Sequence, residues 1–294
     1  MPNTRWTYRV LMRLPTRWLV GSLLAPVGLA VLAASSGSAP RLQEPMPFRE
    51  YPSFEGDDAA APLPDDWDVP AEVVIGRLMY PSAGGRRGFN DWHNGNTGWT
   101  DDYPRGDRKL VQMLRRNTRI NVRAVEQPVS LDDGNDIFYW PFLIAGMAQS
   151  WTLTDAQAAT LREYLDRGGF LFCDSFFNED SWYYYEESMR RVFPDREIRD
   201  LTDEEIIFHV AFELPGMTKV AIPHIREALS GFKMGGPPHW RGVFDDSGRL
   251  VVLIAHNNDV GDGWQWADDP RYPGDEANRA LRIGSNVAVY ALTH

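Results

Sequence analysis

The stretch Arg167–Phe176 constrains the fold more than any other part of the chain. A helical pattern ends at Gly168 and Gly169, four apolar or sulfur-containing residues follow, and Asp174 and Ser175 come next. This order predicts a helix, a stop, a buried strand and a polar strand end. In an open α/β sheet, ligands and catalytic groups collect at the carboxyl ends of the strands. We therefore expect Asp174 to lie at a functional edge of a sheet.

Helices and strands alternate along the rest of the body. Val73–Tyr80 has the β-branched start that is typical of a strand. Thr154 and Gln157 form a capping box for a helix. Arg241–Phe244 and Leu250–Asn257 flank a turn sequence that favours a hairpin. This alternation predicts an α/β fold with a doubly wound, mainly parallel sheet.

Four further elements are predicted from local signals. Asp101–Pro104 is expected to open a helix, with an acid as its cap and proline in its first turn. Short strands are predicted at Arg119–Val122 and at Asp136–Ile144. Asn286–Leu292 has the apolar spacing of a closing helix.

The N-terminus has the order of a secretory signal. Within residues 1–39, four arginines precede the uncharged apolar run Trp18–Ala34, and small residues follow the run. The run is long for a signal peptide, so an uncleaved membrane anchor is the alternative. Residues 40–70 contain seven prolines and are predicted to be an extended linker to a domain at 71–294. We expect an exported protein, either periplasmic or anchored to the membrane by this segment.

Charge and cysteine content limit the partners. The formal net charge is −11, and residues 1–39 contribute only positive charge, so the remaining chain is more acidic still. Such a body does not bind nucleic-acid phosphates or anionic lipid headgroups by charge. We expect no nucleic-acid partner, and membrane contact only through the N-terminal segment. The single cysteine excludes an internal disulfide.

Several motifs in order carry a family resemblance. They are Asp101-Asp102-Tyr103-Pro104-Arg105, Leu161–Leu165 with Gly168–Phe172, Arg241–Asp246, His256–Asp259, Gly263–Pro270 and Tyr290–His294. Over residues 73–294 the chain resembles the bacterial domain-of-unknown-function family 4159. The resemblance implies a class I glutamine-amidotransferase-like, flavodoxin-like fold and no established activity. Members of that family are often encoded near MoxR-type ATPases and von Willebrand factor A proteins, which implies by association a role in the cell envelope.

Cys173 is a candidate catalytic nucleophile. Active amidotransferases of this fold carry the cysteine in a strand-to-helix turn written G-x-C-x-G. Here Leu171 and Ser175 occupy the two glycine positions. We therefore expect a buried strand cysteine, with a nucleophile assisted by His209 or His256 as the alternative.

Asp174, His256 and Asp259 are the candidate catalytic residues. His256 and Asp259 follow a second predicted strand, so their side chains could converge with Asp174 on one hydrolytic site. Neither H-E-x-x-H nor C-x-x-C is present, and Asn257–Gly263 resembles a calcium loop only loosely. We expect no metal and no cofactor.

Tryptophans in predicted loops are candidate binding residues, because aromatic faces stack on sugars or anchor protein partners. The candidates, together with polar residues at element ends, are Trp92, Trp99, Asp102, Asn257, Asp262, Trp264 and Trp266. The alternative is that the tryptophans pin long loops. Two functions remain open: a non-catalytic envelope module that binds a protein or polysaccharide, and an envelope hydrolase of amide, ester or glycan bonds using Asp174, His256 and Asp259.

Overall fold

The computed structural model describes residues 44–82 and 91–294. One compact unit extends from Pro45 to His294. The predicted signal peptide or membrane anchor at residues 1–39 lies outside the described residues. Within the described ranges, no helix combines the length and the apolar character needed to cross a membrane.

The centre of the unit is a seven-stranded sheet with the order β2-β1-β3-β4-β7-β6-β5. Its strands are β1 (Ile75–Met79), β2 (Gln127–Ser130), β3 (Phe142–Gly146), β4 (Phe170–Phe176), β5 (Arg199–Asp200), β6 (His239–Phe244) and β7 (Leu250–His256). The strands from β2 to β7 in this order are parallel, whereas β6 and β5 are antiparallel to their neighbours. The predicted α/β fold with a mainly parallel sheet is confirmed, and the order is consistent with a flavodoxin-like fold.

Helices cover both faces of the sheet. They are α1 (Arg105–Asn117), α2 (Asp155–Asp166), α3 (Asn178–Val192), α4 (Ile225–Ser230), α5 (Val260–Gln265) and α6 (Gly274–Thr293). Side chains alternate along β4, so Phe170 and Phe172 pack on the side of α1 and α6. Leu171 and Cys173 pack on the opposite side, with residues of α2 and α3. The buried strand β4 is thus the middle of two apolar layers, as its sequence predicts.

Two strand predictions differ from the structure. The predicted strand Arg119–Val122 is not formed: a single bridge joins Val122 to Val73. The edge strand that pairs with β1 is β2, which contains Pro128. An edge strand tolerates proline because one of its sides needs no N–H donor. Asp136–Tyr139 is a short 3₁₀ helix rather than the start of β3. Its first residue, Asp136, accepts hydrogen bonds from the indole of Trp140 and the amide of Met46, which favours the turn.

Part of the predicted linker is packed against the domain. Residues 50–61, the cover segment, contain one short 3₁₀ helix and otherwise no helix or strand. The segment nevertheless makes specific bonds. Ser53 Oγ donates to the carbonyl of Thr100 at 2.9 Å, and Arg108 donates to Glu50 at 2.5 Å. The cover segment is therefore a part of the folded unit.

We predict that Asn286→Ala destabilises the protein by about 2 kcal/mol. Asn286 is buried on α6, where its Oδ1 accepts the amides of Ala211 and Phe212 and its Nδ2 donates to the carbonyl of Phe212. Alanine leaves these backbone groups without partners. Urea denaturation measures the loss. The exposed Asn121→Ala is the control and should change the free energy of unfolding by less than about 0.5 kcal/mol. Equal losses in the two variants would contradict the prediction.

Candidate functional site

Six carboxylates gather at the carboxyl ends of β4 and β7. They form the acid cluster, which consists of Glu55, Asp101, Asp102, Asp174, Asp259 and Asp262. Four of them, Asp102, Asp174, Asp259 and Asp262, are at most 2% exposed. The other two are half-buried. The cluster brings together the cover segment, the loop before α1, the end of β4 and the start of α5.

Ser175 lies in the middle of the cluster because β4 is irregular there. Strand alternation would place Ser175 on the side of Cys173, but the pairing with β7 shifts between Cys173 and Phe176. Ser175 also has a left-handed backbone with φ of 60°. As a result its Oγ lies 2.9 Å from Oδ1 of Asp259 and 3.1 Å from Oδ2 of Asp102. The hydroxyl has one proton, so it donates to only one of these carboxylates at a time.

Asp102 faces the cluster instead of capping α1. The predicted acid cap is wrong: the helix begins at Arg105, and the residue at its cap position is Pro104. Asp102 has φ of 60°, and its own amide donates to Oε2 of Glu55 at 2.7 Å. A Cβ atom at Gly261 would lie 2.0 Å from Oδ2 of Asp102, so only glycine leaves room for this carboxylate.

Backbone amides at the start of α5 stabilise two of the carboxylates, and the first amide of α4 stabilises a third. Asp174 Oδ2 accepts the amide of Gly261 at 2.8 Å, and Asp259 Oδ1 accepts the amide of Asp262 at 2.9 Å. Asp262 itself accepts the amide of Ile225 at 2.6 Å and the indole N–H of Trp266 at 2.8 Å. The N-terminus of α5 thus offers donors to negative charge, as helix N-termini commonly do.

Burial makes these carboxyl groups weak acids. It is the largest cause that raises the pKa of Asp174 to about 6 and that of Asp262 to about 7. Burial, and then the charge of Asp259, raise the pKa of Asp102 well above its usual value. Burial followed by the charge of Asp262 does the same to the pKa of Asp259. The folded cluster therefore holds protons that the unfolded chain releases.

The nearby guanidinium of Arg77 is engaged by another acid. Arg77 is 1% exposed, and its Nε and Nη2 donate to the carboxylate of Asp107 at 3.0 and 2.6 Å. Its Nη1 has no hydrogen-bond partner among the described residues. This buried ion pair links β1 to α1 next to the acid cluster.

The structure brings two of the three predicted catalytic residues together. Asp174 and Asp259 belong to the same cluster, and the charge of Asp174 contributes to the raised pKa of Asp259. His256 lies two residues after Ile254 in β7, so its side chain is on the same face of the sheet as that of Ile254. This is the face covered by α2 and α3, opposite to Asp174. Its ring contacts the carbonyl of Asn178 at 2.9 Å and Arg241 at 3.1 Å. These three residues do not form one catalytic triad.

The four predicted binding tryptophans are buried. Their exposed fractions are 8% for Trp92, 0% for Trp99, 0% for Trp264 and 7% for Trp266. Three indole N–H groups donate internally, from Trp99 to the carbonyl of Trp92, from Trp264 to that of Ala280, and from Trp266 to Asp262. This geometry favours the alternative in which the tryptophans pin loops, and it leaves their faces without access to a partner.

Asn257 and Cys173 also have internal roles. Asn257 is buried with φ of 57°; its Oδ1 accepts the amide of Asn178 at 2.8 Å, and its Nδ2 donates to the carbonyl of Pro237 at 2.9 Å. It therefore fixes the start of α3. Cys173 is 0% exposed, and burial raises the pKa of its thiol, as the missing elbow glycines predict.

The residues that could hold a cation come from separate segments. One ligand atom each from His224, Asp259 and Asp262 lie within 4.8 Å of one another. Sequence reasoning missed His224 and Ser175, and it placed Glu55 in a linker. No spacing motif could have found them, because Glu55 lies about 120 residues before Ser175 in the chain and the bulge that turns Ser175 has no sequence signature.

A family comparison agrees with the motifs. The family model of the domain of unknown function DUF4159 matches residues 90–292. Because this match covers more than half of the chain, the protein belongs to the DUF4159 family. No curated protein matches the chain.

We predict that the acid cluster contributes less to stability as pH rises from about 4 to about 7 in a chelating buffer, whereas His224 and His256, whose pKa burial lowers to about 4, act in the opposite direction. The pKa values of Asp174 and Asp262 are raised from 3.8 to about 6 and about 7, so the folded state binds more protons than the unfolded state. Each such group lowers the free energy of unfolding by about 1.4 kcal/mol per pH unit between its two pKa values. Asp262→Asn should therefore have a shallower slope in urea titrations at several pH values. The exposed Asp68→Asn should keep the wild-type slope, and a wild-type slope in Asp262→Asn would contradict the prediction.

We also predict that Arg77→Met destabilises the protein by about 3–5 kcal/mol, because it leaves Asp107 buried without its partner. The double variant Arg77→Met, Asp107→Leu should recover part of this loss by removing the unpaired charge. Guanidinium denaturation of the two variants measures the difference. A double variant that is less stable than the single one would contradict the role assigned to the pair.

Proposed function

We propose that this member of the DUF4159 family is an exported cell-envelope module that binds envelope polysaccharide and does not catalyse a reaction. The proposal includes export, to the periplasm or to the membrane surface, through the N-terminal segment. It also includes a class I glutamine-amidotransferase-like scaffold that lacks the nucleophile of active amidotransferases. The acidic composition, the buried Cys173 and an exposed aromatic surface support it.

The observation that carries the proposal is an aromatic pair on α3. Tyr183 and Tyr184 are 57% and 61% exposed, and their ring centroids lie 5.7 Å apart. The neighbouring ring of Trp182 is half-buried beneath the guanidinium of Arg241, 3.8 Å from its centroid. Amphipathic rings held on a rigid helix stack on sugar faces at a low entropic cost. We therefore assign sugar stacking to this pair, and no longer to the tryptophans that the sequence suggested.

The surroundings of the pair favour a sugar over a protein partner. Glu186 and Glu187 lie three or four positions after the tyrosines, on the same part of the helix, where carboxylates can accept hydrogen bonds from sugar hydroxyls. A stable protein interface needs roughly 800 Å² on each partner with an apolar centre. Two rings between charged residues supply much less apolar surface than that.

The alternative function is an envelope hydrolase. Its support is that Asp174 and Asp259 lie in one cluster, with the hydroxyl of Ser175 hydrogen-bonded there. His256 faces the other side of the sheet, so this hydrolase would lack the predicted histidine base. Release of soluble fragments from purified peptidoglycan by the wild type, lost in Asp259→Asn, would favour the hydrolase over the binding module.

The binding function is tested by co-sedimentation with purified peptidoglycan. We predict that Tyr183→Ala, Tyr184→Ala weakens binding by roughly tenfold or more, because two stacking rings are lost. Both side chains are exposed, so the variant should keep the wild-type melting temperature.

The control is Phe232→Ala, which removes another exposed ring, 68% exposed, that does not belong to α3. It should bind as the wild type does. Equal binding by the double variant and the wild type would contradict the proposal. Capture of an envelope protein in place of peptidoglycan, lost in the double variant, would replace the polysaccharide with a protein partner.

A further inference from the structure

The acid cluster contains more carboxylates than the neighbouring side chains neutralise. Arg77 is buried beside it, but the two nitrogens of Arg77 that form hydrogen bonds both serve Asp107. Arg105 and Lys109, on the adjoining turn of α1, pair with Asp268 outside the cluster. A buried carboxylate is costly to ionise without a partner, which is why these groups retain protons. A bound cation could replace those protons and pair with the carboxylates.

The oxygen atoms are close enough to surround one ion. Ser175 Oγ is within 3.1 Å of oxygens from both Asp102 and Asp259, although its single proton serves only one of them. Carboxylate oxygens of Asp259 and Asp262 lie within 4.8 Å of each other. Oxygen atoms that share a cation at 2.3–2.6 Å are separated by distances of this order.

A second observation comes from a neutral side chain. Gln265 is 0% exposed, and its Nε2 lies 3.3 Å from Oε1 of Glu55. The Oε1 of the same amide has no hydrogen-bond partner among the described residues. Because the two atoms are bonded to one carbon, this amide lies next to Glu55, a member of the acid cluster. Its buried oxygen is free to bind a cation, or a water molecule that a cation holds.

We propose that the acid cluster binds one hard divalent cation, Ca²⁺ or Mg²⁺, through oxygen atoms of Asp102, Asp259 and Asp262, with Glu55 and Gln265 at its rim. Carboxylate, hydroxyl and amide oxygens are the ligands of these ions. Within the described part of the chain, His224 is the single nitrogen donor beside these oxygens, and its Nδ1, 3.5 Å from Asp262 Oδ2, already accepts the amide of Arg226 at 2.9 Å, so oxygen ligands predominate. The sequence lacks a calcium-loop pattern because the ligands come from separate segments.

The cation also has a structural consequence. Glu55 belongs to the cover segment, whereas Asp102 and Asp259 belong to the loops beside α1 and α5. An ion shared among them fastens the cover segment over the carboxyl ends of the strands. Removal of the ion should expose residues 50–61 to proteolysis.

The experiment compares melting temperatures of the protein in EDTA and with Ca²⁺, Mg²⁺ or Zn²⁺ at millimolar concentration. Saturation with Ca²⁺ or Mg²⁺ should raise the melting temperature by about 5 °C, and calorimetric titration should give one site per chain. The double variant Asp259→Asn, Asp262→Asn should lose the rise. Asparagine keeps the cap of α5 and the shape of both side chains.

Two further variants keep the test decisive. Asp68→Asn, Asp275→Asn removes two exposed acids and should keep the wild-type response. Gln265→Met should weaken cation binding by roughly tenfold without lowering the melting temperature in EDTA. This variant tests the site even if the double variant fails to fold. An unchanged melting temperature with both ions, a wild-type response of the double variant, or a rise with Zn²⁺ alone would overturn the proposal. None of these measurements involves polysaccharide, so the outcome is independent of the proposed function.

Discussion

The buried pairing of Arg77 with Asp107 determines how the rest of the site is built. The pair joins β1 to α1, and it uses the guanidinium that could otherwise have neutralised Asp102 or Asp174. The acid cluster is therefore stabilised by weaker means, namely backbone amides of α5, the hydroxyl of Ser175 and protons retained by carboxyl groups of raised pKa. The stability of the fold and the chemistry of the cluster are coupled for this reason. A change that adds or removes one charge here affects both.

Close packing of backbone and carboxylates gives the site its shape. The bulge in β4 turns Ser175 out of the apolar layer, and Gly261 leaves space for the carboxylate of Asp102. The cover segment then places Glu55 on the amide of Asp102. A site closed in this way suits an ion better than a large substrate, whereas the exposed tyrosines of α3 suit a large ligand. The two proposals thus assign different tasks to different surfaces.

Local patterns were sufficient for the central elements of the fold and insufficient for some strand bounds and for the site. The capping box of Thr154 and the apolar run before Asp174 predicted α2 and β4, because both depend on residues close in sequence. Burial of the loop tryptophans could not be read locally, since it depends on which elements pack over them. The acid cap predicted within Asp101–Pro104 failed for a similar reason: the carboxylate of Asp102 accepts a bond from Ser175 of β4 and fits against Gly261 of α5, both far along the chain.

The two edges of the sheet have a consequence for the behaviour of the protein in concentrated solution. At one edge, β2 contains Pro128, which has no N–H to offer to another strand. At the other edge, β5 is only two residues long. A long regular edge invites pairing with a second chain and is a common origin of aggregates, and both edges here are poor templates for it. The sheet can therefore carry seven strands without recruiting an eighth from a neighbouring molecule.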